Sequence, residues 1–220
     1  VRLGPQHAGK LDRTADILAT SGVHIGGTDF DHRLSVDTVM PLLGLRHTGP
    51  SGREVPSRVF YDLATWHLIQ WQYSPKAMRE AQALRTDYRD PQLHQRLMNV
   101  LEERAGHRVA DAVEQAKIQA SSTGADAALD LDWLDKGLQA AITPEGLHQS
   151  LQSPLLQVVE CAQQCVQLAG LQAGGVDAIY LTGGSSALRT LRDALAQAFP
   201  AVAQVEGDLF GGVATGLAYA

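Results

Sequence analysis

The residues best suited to chemistry in this 220-residue chain fall in three short stretches. Gly183-Gly184-Ser185-Ser186 follows the apolar run 176–181 (Val-Asp-Ala-Ile-Tyr-Leu), at a predicted strand-to-helix junction. Glycines there let backbone approach a ligand closely, and a helix N-terminus offers unpaired N–H groups to oxygen-rich anions. Taken alone, the turn reads equally as a compact connection. Gly26-Gly27 with Asp29 and Asp31 is a second such turn, either a ligand-lining loop or a plain turn plus helix cap. Glu114, Lys117 and Ser121 recur at i, i+3 and i+7, which puts them on one helix face. The ordinary reading of such a face is a solvated stripe. Cys161 and Cys165 lie four apart on one predicted helix, without further His or Cys at metal-ligand spacing, so buried thiols in a reducing cytosol are expected. The eight histidines follow no metal-protease pattern, and no Walker loop or nucleophile elbow is present.

The elements that must carry these residues alternate between α/β and helical stretches. Residues 15–20 form a short apolar run expected as a strand, ended at Ser21-Gly22. A helix is expected from Phe30 through Leu43, with Pro41 breaking or kinking it. The Gly- and Pro-rich stretch 44–56 reads as a loop, and 59–73 as helical. Residues 75–121 read as two or three helices broken near Asp90-Pro91 and Gly106, with Leu97, Leu101, Val109, Val113 and Ala116 on the core face. Ala127, Leu129 and Leu131 alternate with Asp126, Asp130 and Asp132, the signature of a half-buried strand, and 138–142 is its expected partner. Thr143-Pro144-Glu145 starts a helix reaching about Leu171, with a bend or break at Pro154. A helix through Leu188, Leu191, Leu195 and Phe199, a strand near 202–205, and a small-residue helix to Ala220 complete an α/β ending.

The whole chain bounds the partners. Its 18 basic and 24 acidic residues give a net charge of −6, and no basic block is present. That argues against a nucleic-acid or anionic-membrane surface. No stretch approaches the roughly 20 apolar residues that span a bilayer. The opening residues are no signal peptide, and with no initiating Met the chain reads as a cytoplasmic fragment.

Four motifs in order resemble the nucleotide-binding domains of DnaK-type heat-shock chaperones, over about residues 16–220. Gly26-Gly27-Thr28-Asp29-Phe30-Asp31 is similar to the family's Gly-Gly-Glu-Asp-Phe-Asp segment. Glu114-Gln115-Ala116-Lys117 with Ser121-Ser122 resembles its Glu-Xaa-Ala-Lys…Ser-Ser helix, and Leu181-Thr182-Gly183-Gly184-Ser185-Ser186 its Gly-Gly-Ser-Thr turn. Asp208 and the small residues after it resemble the family's ending. Val39-Met40-Pro41-Leu42-Leu43-Gly44 looks most like shorter, divergent YegD-type bacterial members.

The resemblance implies an α/β fold: half of an actin-like ATPase (ribonuclease H-like) domain with an inserted, mainly helical α+β lobe. The lobes are expected at 1–25 with 143–220, and at 26–142, together forming one wall of a nucleotide cleft. It implies ATP or ADP as ligand, with Mg²⁺ in the complete parent, and a client or co-chaperone protein as partner. Gly26, Gly27, Gly183, Gly184, Ser185 and Asp208 are expected to border the nucleotide. Glu114, Lys117 and Ser121 are expected to hydrogen-bond the adenosine. The family's two base-flanking arginines are replaced by Ile118 and Ala187, which weakens adenine stacking. The phosphate loops, catalytic Lys and metal-organising acids are expected upstream of Val1, so the fragment is not expected to hydrolyse ATP alone. The competing expectation is a non-catalytic interaction module with a vestigial nucleotide site.

Overall fold

Local stop and start signals divide the helical stretches as their physics requires. In the computed structural model, which describes residues 1–7, 9, 12–207 and 211, helix α1 (Gly27–Thr38) opens on Gly26. The Asp29 carboxylate accepts the Gly26 N–H at 2.7 Å, closing the first turn. Phe30 and Leu34 bury one face of α1. The helix ends before Pro41, which sits instead in a 3₁₀ turn, Met40–Leu43, closed by Gly44 at φ 115°. Residues 44–56 form the expected loop, pinned by a bridge between Thr48 and Glu54.

The stretch 59–73 is helical as expected, in two elements. Helix α2 (Arg58–Ala64) stops at Thr65, and a 3₁₀ helix (Trp66–Tyr73) follows. Thr65 has extended backbone, and its hydroxyl donates to the Tyr61 carbonyl at 2.7 Å. A threonine that bonds back to the preceding turn competes with helix continuation. Helix α3 (Pro75–Ala83) begins with the Ser74 hydroxyl accepting the Ala77 N–H, and α4 (Pro91–Glu102) with Asp90 accepting the Gln92 N–H. Both carry proline at the first position, where no N–H is needed. Helix α5 (Gly106–Thr123) ends at Gly124, whose φ of 66° suits a glycine C-cap. Val109, Val113, Ala116 and Ala120 bury its inner stripe.

Strands β1 (Ala127–Asp130) and β2 (Gln139–Ile142) pair antiparallel, Ala127 opposite Ile142 and Leu129 opposite Ala140. Helix α6 (Pro144–Leu168) starts with Thr143 Oγ1 accepting the Gly146 N–H at 3.0 Å. Pro154 lies inside this helix without ending it, so of the expected bend or break there is no break. A proline removes one hydrogen bond, to the carbonyl four residues back, and buried flanking residues Leu151 and Leu155 outweigh that loss.

Residues 1–25 with 152–220 form one compact unit, and residues 26–151 another. The second is mainly helical, with its core at Phe30, Leu34, Phe60, Leu63, Ile69, Leu97 and Leu101. In the first, strand β3 (Ala178–Leu181), helix α7 (Arg189–Ala198) and strand β4 (Ala203–Glu206) form a β–α–β unit with parallel strands. The strand expected over 15–20 is replaced by a 3₁₀ turn (Thr14–Asp16) and irregular chain. The buried Asp16 carboxylate there holds Arg13 at 2.7 Å and His7 at 3.0 Å, which turns the chain. Without a ladder partner among the described residues, an apolar run is not a strand. Cys161 and Cys165 are free and half-buried rather than buried, and the Ser21 hydroxyl lies 3.3 Å from the Cys161 sulfur. The expected closing helix and Asp208 lie outside the described residues.

Candidate functional site

The face carrying Glu114, Lys117 and Ser121 is not the solvated stripe its composition suggests. Lys117 and Ser121 are only 6% and 8% exposed, while Glu114, one turn earlier on α5, reaches solvent. A lysine is that buried only when its charge is compensated. Here α1, packed on α5, supplies the partner: Lys117 Nζ lies 2.7 Å from Asp31 Oδ1. The Lys117 ammonium is what compensates that buried oxygen. Burial pushes the Asp31 carboxyl above its ordinary range, and the neighbouring Glu114 charge adds to this. The Lys117 ammonium opposes both.

Alongside this pair lies a cleft of about 350 Å³, lined by Gly27, Thr28, Asp31, Ser35, Ala64, Trp66, Ala110 and Glu114. A smaller hollow of about 270 Å³ adjoins it and shares Thr28 and Trp66. Clefts of similar size exist elsewhere in the same unit, beside Trp71 (about 360 Å³) and beside Arg46 (about 380 Å³), so size alone does not select the site. The chemistry of the wall does. The Gly27 edge, the Glu114 carboxylate and the Thr28 and Ser35 hydroxyls offer acceptors and donors to a hydroxyl-rich ligand. At the α1 N-terminus the Asp29 carboxylate already holds the Gly26 N–H and brings a negative charge. That disfavours an anion at this glycine turn.

The second glycine turn belongs to the other unit. Gly183 sits at φ 85°, ψ 152°, a conformation that side chains resist. The sequence suggested that a helix N-terminus follows directly. Instead a 3₁₀ turn (Gly184–Ala187) intervenes, and α7 begins only at Arg189. Ser186 explains the turn: its N–H and its hydroxyl both donate to the Gly183 carbonyl, at 3.0 and 2.7 Å. Arg192 Nε then donates to the Ser186 carbonyl at 2.8 Å, and Arg192 pairs with Glu206 of β4. Gly183, Gly184 and Ser185 are thereby fixed to the end of β3 as a rigid backbone edge.

The family model described as Hsp70 protein matches residues 91–218, more than half of the chain. The chain belongs to the Hsp70 family. The match includes Glu114, Lys117, Ser121, the Gly183–Gly184–Ser185 turn and Asp208. The mixed α/β architecture is that of part of an Hsp70 actin-like ATPase domain, and membership carries a chaperone ATPase-type, nucleotide-binding role. Among the described residues, no helix of this Hsp70-family chain is long and apolar enough to cross a membrane.

Sequence reasoning singled out none of Ser35, Ala64, Trp66 and Ala110 as cleft residues, and it did not foresee how Asp31 is held. Asp31 was noted only as part of a glycine turn, because its pairing with Lys117 joins residues far apart in the chain. Trp66 falls in the stretch 59–73 read as helical, and it is 54% exposed. Its signal was Thr65, a β-branched residue able to end α2 just before it. On α5, Ile118 is 49% exposed at the position next to Lys117.

Proposed function

We propose that this Hsp70-family chain is the adenosine-binding lobe of a heat-shock-type chaperone ATPase, of the divergent, YegD-like kind within the DnaK type. Residues 1–25 with 143–220 are its α/β lobe, and residues 26–142 its inserted helical lobe. The observation that carries the reading is the α1–α5 wall. A buried Lys117–Asp31 pair fixes one helix face, on which Glu114 lines the Gly27 cleft, while Lys117 and Ser121 are buried and lie outside its lining. The Glu114 carboxylate with the Thr28 and Ser35 hydroxyls suits a ribose, whose hydroxyls both donate and accept. Gly183, Gly184, Ser185 and Asp208 are further residues that this reading assigns to the nucleotide. Mg²⁺ fits this chain only as a companion of the phosphates. Among the described residues no group of three or more His, Cys, Asp or Glu side chains converges, and Mg²⁺ commonly keeps its waters and phosphate ligands. Positioning and charge neutralisation of the phosphates dominate phosphoryl transfer, so the lobe alone binds without hydrolysing. Clients or co-chaperones are engaged by the parent protein.

The test is an NMR titration of the chain with adenosine, ADP and GDP, repeated on Glu114→Gln. Contacts to adenosine alone are worth ~4 kcal/mol, a Kd of ~1 mM. Glu114→Gln is expected to weaken adenosine by about tenfold, the loss of one charge-assisted hydrogen bond. Unchanged affinity would sink the assignment. The interaction-module reading gains from the exposed Tyr61 and Trp71 on the helical unit, and a chain that binds no nucleoside at several millimolar would favour it.

A further inference from the structure

The loop 44–56 folds back on itself as a small hairpin. The Gly49 N–H donates to the Arg53 carbonyl at 2.8 Å, and the Val55 N–H to the His47 carbonyl at 3.0 Å. The root is fixed, because Val55 is buried and the Tyr88 hydroxyl donates to the Leu43 carbonyl at 2.8 Å. The tip, residues 50–54, is exposed. Between root and tip, a side chain ties the hairpin to the chain entering α4. His47 Nε2 lies 3.1 Å from the Arg89 nitrogen and 3.3 Å from the Asp90 nitrogen. A longer contact, 3.4 Å, runs from the Arg89 guanidinium to the Gly49 carbonyl.

A backbone N–H can only donate, so His47 Nε2 accepts from both, with the one lone pair that a neutral imidazole carries there. The ring proton is therefore on Nδ1. A second proton would fill that lone pair and aim an N–H at two others. The helix adds to the conflict. Asp90 is the N-cap of α4, so the cation would stand at the positive end of the helix dipole.

The neighbouring groups do not share this property. On the hairpin itself the charged residues are Arg46, Arg53 and Glu54, and Arg46 is paired with Asp37 of α1 at 3.1 Å. From the facing segment come Arg85, Asp87, Arg89 and Asp90, whose carboxylate accepts the Gln92 N–H at 2.9 Å. Tyr88 stacks on the His47 ring with centroids 5.9 Å apart, and burial pushes its phenol well up, so it stays a donor. His94 of α4 meets Tyr88 edge to face, and its Nε2 lies 3.1 Å from the Ala81 carbonyl, a bond that a protonated ring still donates.

We propose that His47 is an acid-released latch: when neutral it ties the 47–55 hairpin to the start of α4, and when protonated it frees the hairpin while the core beneath stays folded. The proposal is independent of the nucleotide reading. It works between pH 8 and pH 5, the range in which an imidazole ordinarily changes charge. The buried root at Leu43 and Val55 confines the motion to the residues between them.

The experiment is a nitrogen-15 NMR titration of the 220-residue chain from pH 8 to pH 5, in wild type, His47→Gln and His47→Phe. At pH 8 the His47 ring nitrogens are expected to report a neutral imidazole protonated on Nδ1. Towards pH 5 the Arg89 and Asp90 amide protons are expected to shift upfield in step with that ring. Order parameters across 50–54 should fall from about 0.85 to below about 0.6, while the α5 amides keep their positions. Glutamine places a carbonyl near the position of Nε2 and takes up no proton there, so His47→Gln keeps its amide shifts and its order at both ends of the titration. His47→Phe keeps a ring on Tyr88 without the acceptor and is mobile throughout. A neutral ring protonated on Nε2 in wild type overturns the proposal, even if neither variant folds. So does an equal loss of order in His47→Gln, or a wild-type hairpin still ordered with His47 charged. Movement of the α5 amides in the same step would mean that the whole unit unfolds, and the latch falls with it.

Discussion

Lys117→Met puts the buried ion pair under direct test. The side chains of Lys117 and Asp31 are 7% and 18% exposed, so removing the ammonium leaves a carboxylate nearly shut off from water. Removing one partner of a buried pair costs about 3–5 kcal/mol, and the residual exposure of Asp31 argues for the lower end, about 3 kcal/mol. That lowers the folding constant by about two decades. At a urea m-value of ~2 kcal/mol/M the midpoint falls by ~1.5 M. All three tryptophans, Trp66, Trp71 and Trp133, lie in the 26–151 unit, so tryptophan fluorescence reports its unfolding alone. The pH dependence carries the sharper signature. The folded-state pKa of Asp31 is already raised above the ordinary 3.8 by burial. A raised carboxyl means that the fold retains a proton the unfolded chain has released. Its contribution is therefore most favourable below 3.8 and is lost as pH rises through the folded value. Without Lys117 the folded value climbs further, and the deficit grows towards neutral pH. The gap between variant and wild type should shrink from pH 7 to pH 5, and Lys117→Met/Asp31→Asn should recover most of it. A double variant as unstable as Lys117→Met, or a gap that ignores pH, would refute the pairing. The same cost makes Glu114→Gln the cleaner probe of ligand contact.

Two further substitutions test the helical unit. Gly44→Ala should destabilise it by about 3–5 kcal/mol in urea unfolding. Gly44 has φ 115°, and an added Cβ meets the ring of buried Tyr88, whose hydroxyl donates to the Leu43 carbonyl at 2.8 Å. A loss under 1 kcal/mol would show that the loop is free to shift. Ser74→Ala should cost about 1 kcal/mol by removing the cap on the Ala77 N–H, and Ser74→Asp should restore it, as read by the same unfolding midpoint.

What could be read from sequence was local, and what could not was set by distant contacts. The breaks at Asp90-Pro91 and Gly106 and the start at Thr143-Pro144 follow from backbone chemistry within a few residues. The β1–β2 hairpin follows from strict alternation, which leaves one choice of buried face. The i, i+3, i+7 spacing put Glu114, Lys117 and Ser121 on one face, but could not say that α1 covers it. That depends on Asp31, brought in by packing. The helical reading of 59–73 could not foresee that Trp66 begins a separate 3₁₀ helix after α2. At Pro154, read as a bend or a break, burial keeps the helix from ending.

The β3–β4 ladder also governs how this chain behaves in concentrated solution. The two strands pair with each other among the described residues. Parallel sheets are ordinarily covered on both faces, but here Tyr180 is 63% exposed and Ala178 is open to water. An exposed phenol ring on a strand is adhesive however many acidic groups lie elsewhere. The net charge of −6 therefore sets long-range repulsion between molecules, while this short strip sets what happens once they touch. Colloidal behaviour should accordingly respond to one substitution there, Tyr180→Lys, more than to several added acids on the helical unit.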